Sequence, residues 1–304
     1  MDVMGDADQS YGFSEVDRFV KKFREGFELV MGCRLPNGGG RIMPGAMPFS
    51  HRWLGNPLFS RMARHMFAVP IHDFYCGLRG FTRELYGRLG LRCEGMEFAT
   101  EMIIKASLHG ARISEIPITL HPDRRKTHAP HLRTIRDGWR TLRFFLILSP
   151  KMLFLAPGFF LVLLGLTGYA LALPGLKIGG VTFDAHTLLF SSLAILMGYQ
   201  SFLFALCAKT FAINEGLLPR DPRIDWFFKM MYLERGLAIG SLAFVAGLIL
   251  LGVVVLQWKS VDFGHLDYAV TMRWAIPGAT LTSLGFQTIL SSFFVSVLGM
   301  KRRL

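Results

Sequence analysis

Four long apolar segments dominate the hydrophobic pattern in the second half of the chain. Residues 152–173, 187–208, 236–258 and 274–299 contain no charged side chain. A helix needs about 20 apolar residues to cross a hydrocarbon core of about 30 Å, and each segment reaches that length. The pattern predicts an α-helical membrane domain at residues 150–304 with four spans.

Residues 1–130 show a different pattern, in which short apolar runs alternate with amphipathic stretches. Val3-Met4 followed by "GDAD" predicts a buried strand that ends in a turn. A strand end of this kind places Asp6 and Asp8 at the carboxyl edge of a sheet, where open α/β sheets bind ligands. A soluble domain is therefore expected before the spans.

An amphipathic helix is predicted at residues 131–149. Apolar residues recur there at helical spacing, and four arginines follow one residue later. The apolar set is Leu132, Ile135, Trp139, Leu142 and Leu146, and the basic set is Arg133, Arg136, Arg140 and Arg143. Such a helix can lie in the headgroup layer with its arginines on lipid phosphates. The alternative is a helix packed on the soluble domain with a solvated basic face.

Two further patterns concern the membrane domain. "RIDWFFKMMYLERG" places Ile224, Phe227, Phe228 and Met231 on one side of a helix, which predicts a segment on the membrane surface. The last span carries a polar face of Thr280, Ser283, Gln287 and Ser291. In lipid such side chains seek partners on neighbouring helices. A path for a lipid phosphate is the alternative.

Charge and composition agree with a membrane protein. The formal net charge is +12 and 51% of residues are hydrophobic. The connection after the second span carries Lys209, Arg220, Arg223, Lys229 and Arg235, and the tail carries Lys301, Arg302 and Arg303. The other two connections are poorer in Lys and Arg, so both termini should face the cytoplasm of an inner membrane. Nucleic acid is not an expected partner, because the basic residues cluster beside the spans.

Metal and thiol chemistry are limited by the residues available. Cys33, Cys76, Cys93 and Cys207 show no CxxC spacing, so neither a zinc site nor a disulfide framework is indicated. The Asp-x-Asp pair offers two hard oxygen ligands, which suit Mg²⁺ or Mn²⁺ shared with a diphosphate. A solvated acidic turn is the alternative interpretation of the pair.

Three consecutive blocks strengthen the metal interpretation. They are "GDADQSYGFSEVDRFVKKFREGFELVMGCRL", "HDFYCGLRGFTRELYGRL" and "GMEFATEMIIKASLHGARISEIPITLHPDRR". Together they resemble the family-2 glycosyltransferases that charge a polyprenyl phosphate with a sugar, of the dolichol-phosphate mannosyltransferase and polyprenyl-phosphate glucosyltransferase types. The resemblance implies an α/β fold with a partial GT-A, Rossmann-like sheet at residues 1–130.

The resemblance also implies site residues. Asp6 and Asp8 would bind the metal and, with Gln9 and Glu97, the nucleotide-sugar donor. Asp73 and Arg79 would be catalytic, although Arg79 could instead form an ion pair that holds its strand, and Glu101 would anchor the fold. The residues implied for the acceptor phosphate are Arg124, Arg125, Lys126, Arg133 and Arg136.

The implied reaction is a metal-assisted, inverting displacement from a nucleotide sugar to polyprenyl phosphate at the bilayer. Met1 stands only five residues before Asp6, so the expectation is a truncated transferase that lacks its N-terminal nucleotide-binding half and has little activity alone. Val3-Met4 would then be an edge strand. The alternative functions are a non-catalytic membrane scaffold and a degenerate transferase that binds polyprenyl-linked sugars. A homo-oligomer is compatible with the sequence, which does not define the oligomeric state.

The predicted topology can be tested with a cysteine placed after Leu304. Because the tail should be cytoplasmic, an impermeant thiol reagent added outside intact cells should not label it until the membrane is permeabilised. A cysteine in the connection near Lys177 serves as the outside control. Labelling of the tail cysteine in intact cells would contradict the topology.

Overall fold

The computed structural model describes residues 1–6, 10–122, 134–230 and 233–299. The chain forms two compact units, residues 1–149 and 150–304. We call them the N-terminal unit and the membrane unit.

The N-terminal unit combines six short strands with five helices among its described residues. In chain order they are β1 (Asp2–Met4), α1 (Val16–Arg24), β2 (Leu29–Cys33), β3 (Arg41–Ile42), α2 (Asn56–Phe67), β4 (Arg79–Phe81), α3 (Arg83–Leu89), α4 (Met96–Leu108), β5 (Ile113–Pro117), β6 (Thr119–Leu120) and α5 (Thr134–Leu148). A π-helical turn at His51–Gly55 leads into α2.

The main sheet is mixed and has the strand order β1-β4-β2-β5. β4 is antiparallel to both β1 and β2, and β2 is parallel to β5. Every residue of β2 is buried, as expected for a continuous apolar run in an inner strand. β3 and β6 form a separate parallel pair.

The strand predicted at Val3-Met4 is confirmed. Its expected place as an edge strand is also confirmed, whereas the expectation of a buried strand is wrong. β1 lies at the edge of the sheet, and Met4 is 39% exposed. The reason is that, among the described strands, β1 pairs only with β4. The short apolar run therefore packs one side chain, Val3, against the core.

α5 packs on the N-terminal unit through Phe145. This side chain is fully buried and makes edge-to-face contacts with Phe59, Phe67 and Phe74, at centroid distances of 6.2, 5.5 and 5.2 Å. Burial of a phenylalanine contributes about 1.5–3 kcal/mol. The alternative of a helix packed on the soluble domain is therefore the one that the structure shows. Trp139, which was predicted to belong to the apolar set, is 60% exposed.

The exposed face of α5 keeps an interfacial character. It carries Arg136, Trp139, Arg140, Arg143 and Ile147. Aromatic and basic side chains together are typical of helices that touch lipid headgroups. Contact of this face with the bilayer stays a prediction.

The membrane unit contains the four predicted spans. They run from Lys151 to Ala172, Ala185 to Asn214, Leu233 to Ser260 and Tyr268 to Gly299. The helices are a π-helical turn (Lys151–Leu155) continued by α6 (Ala156–Ala172), then α7 (Ala185–Asn214), α8 (Pro222–Met230), α9 (Leu233–Ser260) and α10 (Tyr268–Gly299). A small hairpin of β7 (Lys177–Ile178) and β8 (Val181–Thr182) joins α6 to α7.

Small residues let these helices approach closely. α6 packs on α7, α7 on α10, and α10 on α9. A Cβ atom on Gly240 would lie 2.9 Å from the Ile289 side chain and 3.1 Å from the Gly285 carbonyl oxygen. The small-xxx-small pair Gly236 and Gly240 therefore has the packing role that such spacing indicates.

One residue of the polar face of the last span, Thr280, forms a hydrogen bond to a neighbouring helix. The Tyr169 hydroxyl on α6 lies 2.6 Å from Ser192 Oγ on α7 and 3.1 Å from Thr280 Oγ1 on α10. The Tyr199 hydroxyl lies 2.6 Å from Thr288 Oγ1. Thr280 thus finds a partner, Tyr169, on a neighbouring helix, as expected for a polar side chain in lipid.

We expect Gly247→Ala to destabilise the α9–α10 pair and Gly252→Ala to leave it nearly unchanged. A Cβ atom on Gly247 would overlap the backbone nitrogen of Thr282 and lie 2.7 Å from the Gly278 carbonyl oxygen, whereas the position of a Cβ on Gly252 is open. Overpacking of this kind costs about 1–3 kcal/mol. Unfolding of the purified chain in mixed micelles by increasing SDS measures the difference. Equal stability of the two variants would contradict the predicted packing.

Candidate active site

One edge of the main sheet collects the residues of the candidate site. Met4 of β1 and Met31 of β2 both pair with Arg79 of β4 in antiparallel register. The carboxyl ends of β1 and β2 therefore lie beside the start of β4. Asp6 follows the first of these ends, Arg34 follows the second, and Arg79 opens β4.

Asp6 presents an exposed carboxylate at this edge. It lies directly against Gly77, where a Cβ atom would overlap the carboxylate. No hydrogen bond or ion pair joins Asp6 to another residue in the described part of the chain. A carboxylate in this position is available to a cation, and metal binding by Asp6 stays a prediction.

Tyr11 lies next to Asp6 with its ring buried. Its hydroxyl oxygen accepts a hydrogen bond of 3.0 Å from the Gly77 amide. Burial raises the pKa of this hydroxyl well above its ordinary value, and the nearby Cys76 and Asp6 raise it further. Tyr11 is therefore neutral at any physiological pH and keeps a proton to donate.

Asp73 is a carboxylate of the site that binds an arginine side chain. It is fully buried and forms a bidentate pair with Arg34, with Nε–Oδ2 at 2.7 Å and Nη2–Oδ1 at 2.9 Å. Asp73 also accepts the Arg34 backbone amide at 2.9 Å. Burial alone would lower the pKa of Arg34, but the charge and hydrogen bonds of Asp73 raise it well above its usual value.

A second carboxylate supports this pair from β5. Glu115 accepts the backbone amides of Asp73 at 2.8 Å and of His72 at 2.9 Å, and it also contacts the His72 ring at 2.9 Å. β2, the segment before β4, and β5 are thus tied together by two carboxylates. The predicted catalytic Asp73 lies at the centre of this network, with both oxygens engaged.

Arg79 is a buried cation held by carbonyl oxygens. Its guanidinium donates to Cys76 O at 2.7 Å and to Ala99 O at 2.9 Å, and Nε has no hydrogen-bond partner among the described residues. Burial lowers the pKa of Arg79. The alternative of an ion pair that holds its strand is not seen within the described ranges, and the strand start is fixed by the two carbonyl contacts.

The two glutamates of α4 have separate surroundings. Glu101 is buried, lies 2.8 Å from Lys105 Nζ, and accepts the amides of Arg92 and Cys93. Burial alone would raise its pKa, but these hydrogen bonds hold it below the usual value. Glu101 therefore anchors the loop before α4, as expected. Glu97, one turn earlier, pairs with Arg140 of α5 at 3.2 Å.

Several predicted site residues lie outside the described residues. They are Asp8, Gln9, Arg124, Arg125, Lys126 and Arg133. Arg136, the last of the predicted acceptor set, lies on the exposed face of α5. The described site therefore contains Asp6, Asp73 and Arg79 together at one edge, with Glu97 on the neighbouring helix α4.

Sequence reasoning did not single out Arg34 or Tyr11. Both stand inside a block that resembles the transferases, in "MGCRL" and "QSYGF", but neither is marked by spacing or charge pattern. The available signal for Arg34 is an arginine that directly follows a fully apolar run. Such an arginine is expected to be buried and then needs a carboxylate partner.

The described residues contain no group of three or more His, Cys, Asp or Glu side chains that could hold a metal ion. Asp8 is not among them, so one carboxylate of the predicted pair, Asp6, can be placed. Its exposure and its lack of a described partner fit a shared oxygen ligand for Mg²⁺ or Mn²⁺.

Comparison with known proteins gives three matches. A model of the glycosyltransferase family 2 C-terminal transmembrane region matches residues 206–299. The chain is 35% identical over 297 residues to the low-salt glycan biosynthesis hexosyltransferase Agl6 of Haloferax volcanii, covering 97% of this chain and 70% of that protein. It is 28% identical over 116 residues to a dolichyl-phosphate hexose transferase of the same organism, covering 38% of this chain and 48% of that protein.

Asp73→Asn should strongly destabilise the N-terminal unit, because it leaves the Arg34 charge buried without its partner. Loss of one partner of a buried pair costs about 3–5 kcal/mol. Asp2→Asn is the matched control, since it removes an exposed pair with Arg83 and surface pairs contribute about 0–1 kcal/mol. Labelling of the buried Cys33 and Cys76 thiols in increasing urea measures both. Equal labelling midpoints would show that the Asp73 pair does not stabilise the unit.

Proposed function

Because the chain belongs to the family-2 glycosyltransferases of the polyprenyl-phosphate hexosyltransferase type, we propose that it transfers a hexose from a nucleotide sugar to a polyprenyl phosphate at a membrane surface. The observation that carries the proposal is the exposed Asp6 carboxylate at the sheet edge, beside the buried cations Arg34 and Arg79. The four candidate spans of the same chain supply the lipid setting.

The donor would bind at the sheet edge. Asp6 and Asp8 would hold Mg²⁺ or Mn²⁺, and Gln9 and Glu97 would contact the nucleotide sugar. When bound, such an ion supplies Lewis-acid stabilisation of a departing diphosphate. The neutral Tyr11 hydroxyl, next to Asp6, can donate a hydrogen bond to a donor oxygen without adding charge.

Arg79 and Arg34 are the two buried arginines of this edge. Both guanidinium groups are buried, where charge acts through a lower dielectric than in water. Asp73 neutralises Arg34 directly, whereas no carboxylate touches Arg79 within the described part of the chain. We therefore expect Arg79 to contribute more to the stabilisation of the leaving diphosphate. A direct role for Asp73 at the sugar would require its pair with Arg34 to open.

The acceptor is already an anion, so it needs little help from a general base. Its phosphate oxygen forms a bond to the anomeric carbon while the bond from that carbon to the diphosphate oxygen breaks. The electron pair leaves on the nucleoside diphosphate, and the anomeric configuration inverts. Arg124, Arg125, Lys126, Arg133 and Arg136 would hold the acceptor phosphate, since arginine and lysine bind phosphate through charge-assisted hydrogen bonds.

The reaction would take place on the cytoplasmic face of an inner membrane. The connection between α7 and α9 carries more Lys and Arg than the other two connections, and basic connections stay in the cytoplasm. With four spans, both termini lie on that side.

Asp8→Asn should abolish Mg²⁺-dependent binding of a nucleoside diphosphate with little change in stability, because an amide is a poor substitute for an anionic metal ligand. Asp6→Asn should have the same effect. Asp17→Asn, an exposed carboxylate on α1, is the control. Calorimetry with and without EDTA measures the binding. Unchanged binding by both variants would identify the pair as a solvated acidic turn.

Transfer itself is tested with the purified chain, a panel of radiolabelled nucleotide sugars and a polyprenyl phosphate in lipid nanodiscs. Sugar on the polyprenyl phosphate that depends on Asp6 and Asp8 supports the proposal. Nucleotide-sugar binding without transfer from any donor would instead favour the non-catalytic scaffold.

A further inference from the structure

A groove lies between the end of α7 and the start of α8 in the membrane unit. It is a shallow, open groove with a volume of about 490 Å³. Leu206 lines it from α7, and the lining residues on the α8 side are Pro222, Arg223, Ile224, Trp226 and Phe227. All of them except Arg223 are apolar, so the groove suits a hydrocarbon chain.

The two walls of the groove are held in place by polar contacts. α7 ends at a turn in which Gly216 has a φ of +68°, and Lys209 of α7 pairs with Asp221 just before α8. Asp221 also accepts the Arg223 amide at 2.9 Å. The hydrogen bond from Lys209 lowers the pKa of Asp221.

The groove is placed where a span meets the membrane surface. Leu206 belongs to the last uncharged turns of the predicted span 187–208. Trp226, on the α8 wall, is 62% exposed, and tryptophan is enriched at the level of lipid headgroups. The surrounding connection is the most basic of the three, so the groove should face the cytoplasmic leaflet.

Arg223 is the one charged residue that lines this groove. It is exposed, and its charge lies close enough to Asp221 to help lower the pKa of that carboxyl. Arginine binds phosphate with several donors in a fixed plane. An apolar groove with one arginine among its lining residues suits a molecule that has a phosphate at the end of a single apolar chain.

We propose that this groove holds the first isoprene units of the polyprenyl phosphate acceptor and that Arg223 contacts its phosphate, an inference that rests on the proposed function. A polyprenyl phosphate has one chain that ends directly in phosphate, so one groove and one arginine match both of its parts. A phospholipid has two chains and a glycerol between chain and phosphate. The groove would hold an acceptor molecule at the membrane surface before transfer.

Photolabelling tests the proposal on the full chain in nanodiscs. The probe is a polyprenyl phosphate with a diazirine on its second isoprene unit, and labelled peptides are identified by mass spectrometry. We expect the label on the segments that contain Leu206 and Ile224. Excess polyprenyl phosphate should remove the label, and excess phosphatidylglycerol should not.

Two variants with matched controls locate the site. Ile224→Trp should fill the groove and reduce labelling about tenfold, whereas Leu248→Trp, at an exposed position on α9, should not. Arg223→Gln should weaken competition by polyprenyl phosphate about tenfold, as expected for loss of a charged hydrogen bond, without changing competition by polyprenol. Arg220→Gln, an exposed arginine that does not line the groove, is its control.

Each outcome decides one claim. Absent labelling of these segments, or equal competition by phosphatidylglycerol, would overturn the groove proposal even if Ile224→Trp failed to fold. Sugar transfer in the same nanodiscs without groove labelling would leave the transferase function and reject the groove. Specific labelling without transfer from any donor would leave the lipid site and reject the transferase function.

Discussion

The bidentate pair between Arg34 and Asp73 is the interaction on which the candidate site depends. It joins the residue after β2 to the segment before β4, and Glu115 extends the connection to β5 through the Asp73 amide. Removing either charge would leave the other buried, so both must be present for this edge of the sheet to keep its shape. The exposed Asp6 owes its setting to this arrangement, because the segment that contains Gly77 follows directly after Asp73.

The parts of the fold that depend on the length and average composition of a segment were predictable from sequence. Length and apolar composition define a membrane-spanning helix almost completely, and the four spans were found for that reason. The orientation of α5 was harder to predict, because Trp139 and Phe145 are both aromatic and only tertiary contacts decide which is buried. The buried cluster of Phe59, Phe67 and Phe74 selects Phe145. β1 was predicted both as a buried strand and as an edge strand, and only the strands that lie beside it decide between the two.

The candidate site shows the same division. Asp6 was predicted because a carboxylate after a strand has a recognisable local pattern, and the resemblance to the transferases brought in Asp73 and Arg79. Arg34 was missed because its partner is 39 residues away and no periodicity links the two. The sequence also could not show that both oxygens of Asp73 bind Arg34. This pair forms only when β2 and the segment before β4 have come together.

The contact between Asp6 and Gly77 gives a criterion for comparing this chain with other sequences. A side chain of any size at position 77 would occupy the space that the Asp6 carboxylate takes. Alanine would already displace the carboxylate, and a larger residue would turn it away from the sheet edge. In an alignment, the pair of glycine at position 77 and aspartate at position 6 should therefore be gained or lost together, even where the second aspartate of the motif varies.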